Sequence, residues 1–150
     1  MKQTIIAAFW LVASFAAQAG VETATDSNDV ILAGHDAVAY FTEGKPVKGD
    51  ARYTAQHEGA VYRFSSEKNR NTFQENPDKY APAYGGYCAL GTSFGKKFEV
   101  DGQAFEVVEG RLYVNKSLTV YETWSEDIPN NIVKAEGLWP QIKNVAASDL

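Results

Sequence analysis

Short apolar segments separated by glycine-containing turns dominate the hydrophobic pattern of this chain. Residues 52–57 and 60–64 are rich in aromatic and β-branched residues and are separated by Glu58 and Gly59. Residues 105–108 and 112–115 form a second such pair around Glu109 and Gly110. Because glycine permits the positive φ that tight turns need, both pairs predict β-hairpins.

Three other segments have helical spacing and helix-capping residues. Ser65 or Ser66 can cap a helix over residues 66–75, Ser117 can cap a second, and Pro129 can open a third. The alternating apolar residues 30–41 predict a strand that is buried on both faces. No internal repeat is apparent. We therefore predict an α+β fold, a small single domain in which β-hairpins pack against about three helices.

The first residues have the three parts of a secretory signal peptide. Lys2 is followed by an apolar run over residues 5–16 and by Ala-Gln-Ala at residues 17–19, a small-residue cleavage site. A membrane anchor is the alternative, but the run is too short to span a bilayer. We predict residues 1–19 as signal peptide, 20–33 as an N-terminal segment, 34–140 as the domain and 141–150 as a tail. Cleavage near Ala19 and Gly20 predicts a periplasmic or secreted protein.

Charge and cysteine content narrow the classes of function. The formal net charge is −5, and no run of Lys or Arg could follow a phosphate backbone, which argues against nucleic acid and anionic membranes as partners. The only cysteine, Cys88, cannot form an internal disulfide. It is therefore a buried side chain, a ligand or a reactive thiol.

The sequence around Cys88 is the first candidate for a functional loop. Tyrosines and a Gly-Gly pair surround the cysteine over residues 80–89, a composition typical of a shaped loop. We predict a ligand pocket formed by residues 84–89 of this loop and by residues 34–41. Its candidate ligand-binding residues are Asp36, Tyr40, Tyr84, Tyr87 and Cys88. Each also has a purely structural interpretation, since aromatics usually supply core area and aspartate often caps a turn.

A transition metal, copper or zinc, is the second candidate ligand. Thiolate and imidazole are its preferred donors, and the chain offers Cys88, His35 and His57. The three lie on separate segments, without the spacing of a paired motif such as C-x-x-C. Met1 is the only methionine and belongs to the leader, which excludes a methionine-rich copper site.

Several motifs resemble those of secreted YHS-domain proteins. They are Gly-His-Asp-Ala-Val-Ala-Tyr-Phe at residues 34–41, Tyr-Arg-Phe-Ser-Ser at 62–66, Asn-Pro-Asp-Lys-Tyr at 76–80 and Tyr-Gly-Gly-Tyr-Cys-Ala at 84–89. The resemblance extends to about Trp139 and implies a small α+β module often linked to metal handling. Many such domains carry cysteines where this chain has Ser65 and Asn69. His35 and Ala37 replace a common tyrosine and a common proline.

These features leave three hypotheses open. The first is a binding module for a small molecule or metal ion, with its pocket at the Cys88 loop. The second is a thiol-dependent enzyme or redox sensor that uses Cys88 as nucleophile, for which no base with predictive spacing is present. The third is a structural or partner-binding domain, with an unidentified protein partner. The sequence favours a protein that is not an enzyme.

Overall fold

The computed structural model describes residues 21–150. The predicted signal peptide lies outside these residues. Within them are six α-helices and two two-stranded antiparallel sheets, so the predicted α+β class is confirmed. None of the helices in this part of the chain is long and apolar enough to cross a membrane.

Both predicted hairpins are present. The first joins β1 (Asp50–His57) to β2 (Ala60–Phe64), and the second joins β3 (Asp101–Val108) to β4 (Arg111–Asn115). Their turns are nearly identical: φ is 49° and 78° at Glu58 and Gly59, and 49° and 77° at the equivalent pair. Positive φ at both central residues matches the twist of the strands, which is why these short segments pair.

The three predicted helices are the three longest, and the other helices have four residues each. Ser66 caps α2 through its side chain, which accepts from the N–H of Asn69, and Ser117 caps α5 in the same way. The final helix continues through Pro140, in its last turn, where proline removes only one backbone hydrogen bond. In chain order the helices are α1 (Ala39–Thr42), α2 (Glu67–Glu75), α3 (Pro77–Tyr80), α4 (Ala89–Thr92), α5 (Leu118–Ser125) and α6 (Ile128–Ile142).

The predicted strand over residues 30–41 is wrong. The segment contains a tight turn, Leu32–Gly34, followed by α1. The side chain of Asp36 accepts hydrogen bonds from the N–H groups of Val38 and Ala39, which starts the helix. Nearly all residues of this segment are buried, so its pattern of apolar residues does not separate a strand from a buried helical turn.

The backbone repeats itself, although the sequence pattern indicated no repeat. A left-handed turn, a short helix, a hairpin and a serine-capped helix occur in this order twice, with a spacing of roughly 50 residues. The first copy runs from the Leu32–Gly34 turn to α2. The second runs from the Ala83–Gly86 turn to α5.

Hydrogen bonds at equivalent positions support this repeat. The N–H of Asp36 donates to Val47, and that of Cys88 donates to Phe98. Isolated bridges join Val30 to Val61 in the first copy and Pro82 to Leu112 in the second, both parallel. In each hairpin the register shifts at the same place, after Asp50 and after Asp101. Asp36 and Cys88 therefore occupy equivalent positions in the two copies.

Two aromatic cores accompany the two copies. Tyr62, Phe64 and Phe73 pack together in the first, and Tyr84, Tyr113 and Trp124 in the second. Strand β4 links them, since Leu112 and Val114 lie in the first core and Tyr113 in the second. The two copies are therefore packed into one unit.

A buried lysine ties both ends of the described chain to this unit. Only 4% of Lys97 is exposed, and its Nζ donates to the carbonyls of Val21, Lys143 and Val145 at 2.6, 2.7 and 2.7 Å. The ammonium also lies over the rings of Tyr87 and Trp139. Burial lowers the pKa of Lys97. The contacts beyond α6 follow from the partial negative charge of carbonyls at a helix C-terminus.

Replacing Lys97 by methionine should destabilise the protein by about 2–4 kcal/mol, because three carbonyls lose a charged donor at once. The measurement is the free energy of unfolding in urea. Lys96→Met is the matched control: Lys96 is exposed, and the change should stay within about 0.5 kcal/mol of the parent. Equal unfolding free energies for the two variants would contradict this role of Lys97.

His35 is enclosed between the turn and the second hairpin. Its Nδ1 donates to the carbonyl of Leu32 at 3.0 Å, and its ring lies against Gly102, where an added Cβ would approach Nδ1 to 2.0 Å. Burial lowers the pKa of His35 below the usual 6.5, and the positive charge of Lys48 lowers it further. The hydrogen bond to Leu32 and the negative charge of Asp101 raise the pKa, but by less. The folded protein therefore holds a neutral imidazole.

This imidazole should make stability depend on pH. Above about pH 6.5 His35 is neutral in both states and contributes nothing; below it the unfolded chain takes up a proton that the folded chain resists. Stability should therefore fall as the pH is lowered from 7 to 5. We expect the loss of unfolding free energy over this range to be smaller in His35→Gln than in the parent. An equal loss in both would show that His35 does not titrate on unfolding.

Candidate functional site

Asp36 is at the centre of the first copy. Its side chain is completely buried, and Oδ1 accepts from the N–H groups of Val38 and Ala39 at 2.9 and 3.2 Å. Oδ2 accepts from the N–H and the hydroxyl of Ser65 and from the amide of Asn69, at 2.8, 2.7 and 2.8 Å. Five donors fill the hydrogen-bonding capacity of one carboxylate. Asp36 thus joins the start of α1 to the start of α2.

The Asp36 network includes Ser65 and Asn69, the two positions at which the resemblance to YHS domains implies cysteines. Ser65 and Asn69 both point their polar groups at Asp36 and provide no thiolate. A copper or zinc site needs several soft or borderline donors that converge on one point. The residues present here do not fit such an ion.

Cys88 is at the equivalent position of the second copy. It is 1% exposed, and its Sγ accepts from the N–H of Gly91 at 3.5 Å, so it caps α4 as Asp36 caps α1. Its thiol donates to Oδ1 of Asn115 at 3.6 Å. The same oxygen accepts from the N–H of Leu90, which fixes the orientation of the Asn115 amide. Only a protonated thiol can donate in this arrangement.

A cavity of about 230 Å³ lies above Cys88. The residues that line it are mostly apolar. Two of these residues, Phe94 and Phe98, are 67% and 40% exposed to solvent. Phe98 lies directly on Gly91, where an added Cβ would come within 2.6 Å of the ring. The cavity is lined by Cys88, Leu90, Gly91, Phe94, Phe98, Lys116 and Val120.

The repeat explains why the second copy has a cavity here. The residues equivalent to Ser65 and Asn69 are Lys116, which directly follows β4, and Val120, which lies in the first turn of α5. Neither fills the space in front of Cys88 with hydrogen-bonding groups. The exposed Lys116 places Nζ 4.9 Å from the centre of the Phe98 ring. The closed polar network of the first copy is therefore replaced by an open apolar cavity with a cation at its rim.

The predicted tyrosines have structural contacts away from this cavity. Tyr40 donates to the carbonyl of Gly102 at 2.6 Å and packs on Phe105. Tyr84 packs between Tyr113 and Trp139. Burial raises the pKa of Tyr40 and of Tyr84.

Tyr87 likewise belongs to the anchor at the chain ends, since its hydroxyl donates to the carbonyl of Val21. Of the five predicted ligand-binding residues, only Cys88 lines the cavity.

The predicted metal ligands do not converge. Within residues 21–150, the one group of three or more His, Cys, Asp or Glu side chains with ligand atoms close together consists of His57, Glu58 and Asp78. His35 and Cys88 are absent from it. The three predicted donors thus lie at three separate places.

Of the residues that line the cavity, the sequence analysis predicts only Cys88 as a ligand-binding residue. Two phenylalanines in the polar stretch Phe-Gly-Lys-Lys-Phe at residues 94–98 were a signal, because large apolar side chains in a charged loop need a partner or a ligand. Lys116 and Val120 carried no signal of their own. Their role follows only from their position opposite Cys88.

Comparison with known proteins gives one match. The family model described as the YHS domain matches residues 38–84. No curated protein and no solved structure matches the chain. The matched residues run from the start of α1 through the first hairpin to the left-handed turn of the second copy, and the Cys88 cavity lies beyond them. Residues 38–84 of this chain belong to the YHS domain family.

Proposed function

We propose that this protein is a binding module, active in the periplasm or outside the cell, for a small apolar ligand that carries an anionic group. The observation that carries the proposal is the cavity floored by Cys88. Pockets for drug-sized ligands usually measure about 300–1,000 Å³. A cavity of about 230 Å³ suits a smaller ligand, with one or two rings or a short alkyl chain.

The lining supports an apolar ligand. Leu90, Phe94, Phe98 and Val120 provide aliphatic and aromatic surface, and the exposed rings of the two phenylalanines would lose contact with water when a ligand binds. Burial of apolar surface contributes about 25 cal/mol per Å². This hydrophobic contribution favours binding whichever functional group the ligand carries.

The cation at the rim supports an anionic group on that ligand. Among the described residues, no acidic side chain forms an ion pair with Lys116, and its ammonium already lies over the Phe98 ring. A carboxylate on a ligand that stacks on Phe98 would reach this ammonium. In the first copy, Ser65 and Asn69 fill the equivalent space and donate to the protein's own carboxylate, Asp36.

A metal ion is less suited to this cavity than an organic ligand. The polar groups in its lining are one thiol and one amine. The thiol already donates to Asn115, and zinc and copper sites need several converging donors. If the protein binds a metal ion, we therefore expect the ion at another place on the chain and not in this cavity.

The ligand class can be tested with three naphthalene probes of one shape: 2-naphthoate, the neutral 2-naphthalenemethanol and the cationic 2-naphthylmethylamine. We expect the anion to bind about two- to fivefold more tightly than the neutral probe, the size of an exposed ion pair, and the cation to bind most weakly. The measurement is titration followed by amide chemical shifts, with the largest shifts in residues that line the cavity.

Variants assign this binding to the cavity. Lys116→Gln should remove the preference for the anion, while Lys134→Gln, an exposed lysine on α6, should keep it. Val120→Phe should fill the cavity and weaken all three probes, whereas Val133→Phe at an exposed position should not. Equal affinities across all five proteins, or shifts confined to another surface, would refute the proposal.

The rate at which the Cys88 thiol is alkylated separates the binding module from a thiol-dependent enzyme, because a nucleophilic thiol should react fast in the native protein. Its neighbours Asn115 and Gly91 are neutral, and neither can act as a base. We therefore expect iodoacetamide to modify native Cys88 at least about tenfold more slowly than the urea-unfolded chain at the same pH. A Cys88→Ser, Ser148→Cys double variant supplies an exposed thiol for reference. A native Cys88 that reacts faster than this reference would favour the enzyme hypothesis.

A further inference from the structure

The turn of the first hairpin brings three metal-ligand side chains together, away from the Cys88 cavity. His57 ends β1, Glu58 follows in the turn, and Asp78 lies in the first turn of α3. Nε2 of His57 is 3.3 Å from Oδ1 of Asp78 and 4.0 Å from Oε2 of Glu58. All three ligand atoms lie within 4.8 Å of one another.

The imidazole is held in place by aromatic packing. The His57 ring lies 6.0 Å from the Phe73 ring in an edge-to-face arrangement and 6.3 Å from the Tyr62 ring. The side chain is 18% exposed, against 71% and 87% for Glu58 and Asp78. The core therefore holds one donor in place, and the two carboxylates beside it are exposed.

Nε2 of His57 is buried without a hydrogen bond. The atom is inaccessible to solvent and makes no hydrogen bond, although a carboxylate oxygen is only 3.3 Å away. In the tautomer that has its lone pair on Nε2, the imidazole and the two carboxylates are three electron-pair donors that face one another. A metal cation placed between them would accept an electron pair from all three groups at once.

We propose that His57, Glu58 and Asp78 bind a divalent transition-metal ion of the zinc type. Donors at about 2.0–2.1 Å from a tetrahedral Zn²⁺ lie roughly 3.3 Å apart, which is the separation of His57 and Asp78. Glu58 reaches the same ion by a rotation of its exposed side chain. The imidazole selects transition metals over Ca²⁺ and Mg²⁺, which prefer all-oxygen sites.

Three protein ligands leave at least one coordination position on this ion open to solvent. Such a site can exchange its metal or share it with a second molecule, unlike a closed structural site with four protein ligands. Of the three metal ligands expected from the sequence, this site includes only His57. It is independent of the cavity and of any ligand bound there.

The second hairpin provides a matched control within the same chain. Its turn has the same backbone conformation, with Glu109 in place of Glu58, but Val108 stands where the first hairpin has His57. Glu109→Gln therefore makes the same chemical change in the same kind of turn without a metal ligand beside it.

The first test is calorimetric titration of the protein, produced without a histidine tag, with Zn²⁺ and separately with Ca²⁺. We expect one Zn²⁺ per chain and no detectable Ca²⁺ binding. His57→Gln should abolish the Zn²⁺ signal, and Asp78→Asn and Glu58→Gln should each weaken it by about tenfold or more, since changes even to outer-shell partners cost 10–100-fold. Glu109→Gln should bind Zn²⁺ as the parent does.

A second test, NMR of the imidazole nitrogens, uses the parent protein and does not require His57→Gln to fold. The chain has two histidines, so its imidazole nitrogen resonances can be assigned to His35 and His57. We expect Zn²⁺ to shift Nε2 of His57 and to leave His35 unchanged. Zn²⁺ binding that shifts neither histidine, that persists in Asp78→Asn at the parent's affinity, or that disappears in Cys88→Ser would overturn the assignment.

Discussion

Each half of this protein is organised around one buried hydrogen-bond acceptor at the start of a short helix. In the first half it is the carboxylate of Asp36, and in the second it is the sulfur of Cys88. The preceding residues form a left-handed turn, and a carbonyl from the segment just before the following strand accepts from the N–H of the acceptor residue itself. Without the acceptor, the N–H groups at the helix start would be buried and unpaired, which costs about 1–3 kcal/mol each. The position of the helix relative to the hairpin depends on this contact.

The difference between the two acceptors explains why one half is closed and the other open. A carboxylate needs several donors when it is buried, and Ser65 and Asn69 supply them, so no space remains. A thiol needs few partners, and Asn115 with Gly91 is sufficient. The residues opposite Cys88 are thus free to be Lys116 and Val120. The repeated backbone therefore supports two different surfaces, and the family match covers the closed one.

Local rules predicted the hairpins and the longer helices well. Glu58-Gly59 and Glu109-Gly110 have the conformational freedom that a two-residue turn needs, and Ser66 and Ser117 cap the helices that follow. The strand predicted over residues 30–41 failed because burial on every side removes the periodicity on which such a prediction depends. The composition around Cys88 predicts a pocket lined by tyrosines. In the folded protein, Tyr84 and Tyr40 instead pack in the cores.

The sequence by itself determined what depends on neighbours along the chain: the turns, the caps, the α+β class, the resemblance to YHS domains and the presence of a single thiol. The tertiary structure alone decided which side chains meet. Val120 and Lys116 face Cys88, Lys97 holds both chain ends, and Asp78 faces His57, because separate elements pack together there. Such contacts join residues far apart in sequence through the packing of the whole fold. No local pattern encodes them, so the cavity and the His57 cluster could be found only in three dimensions.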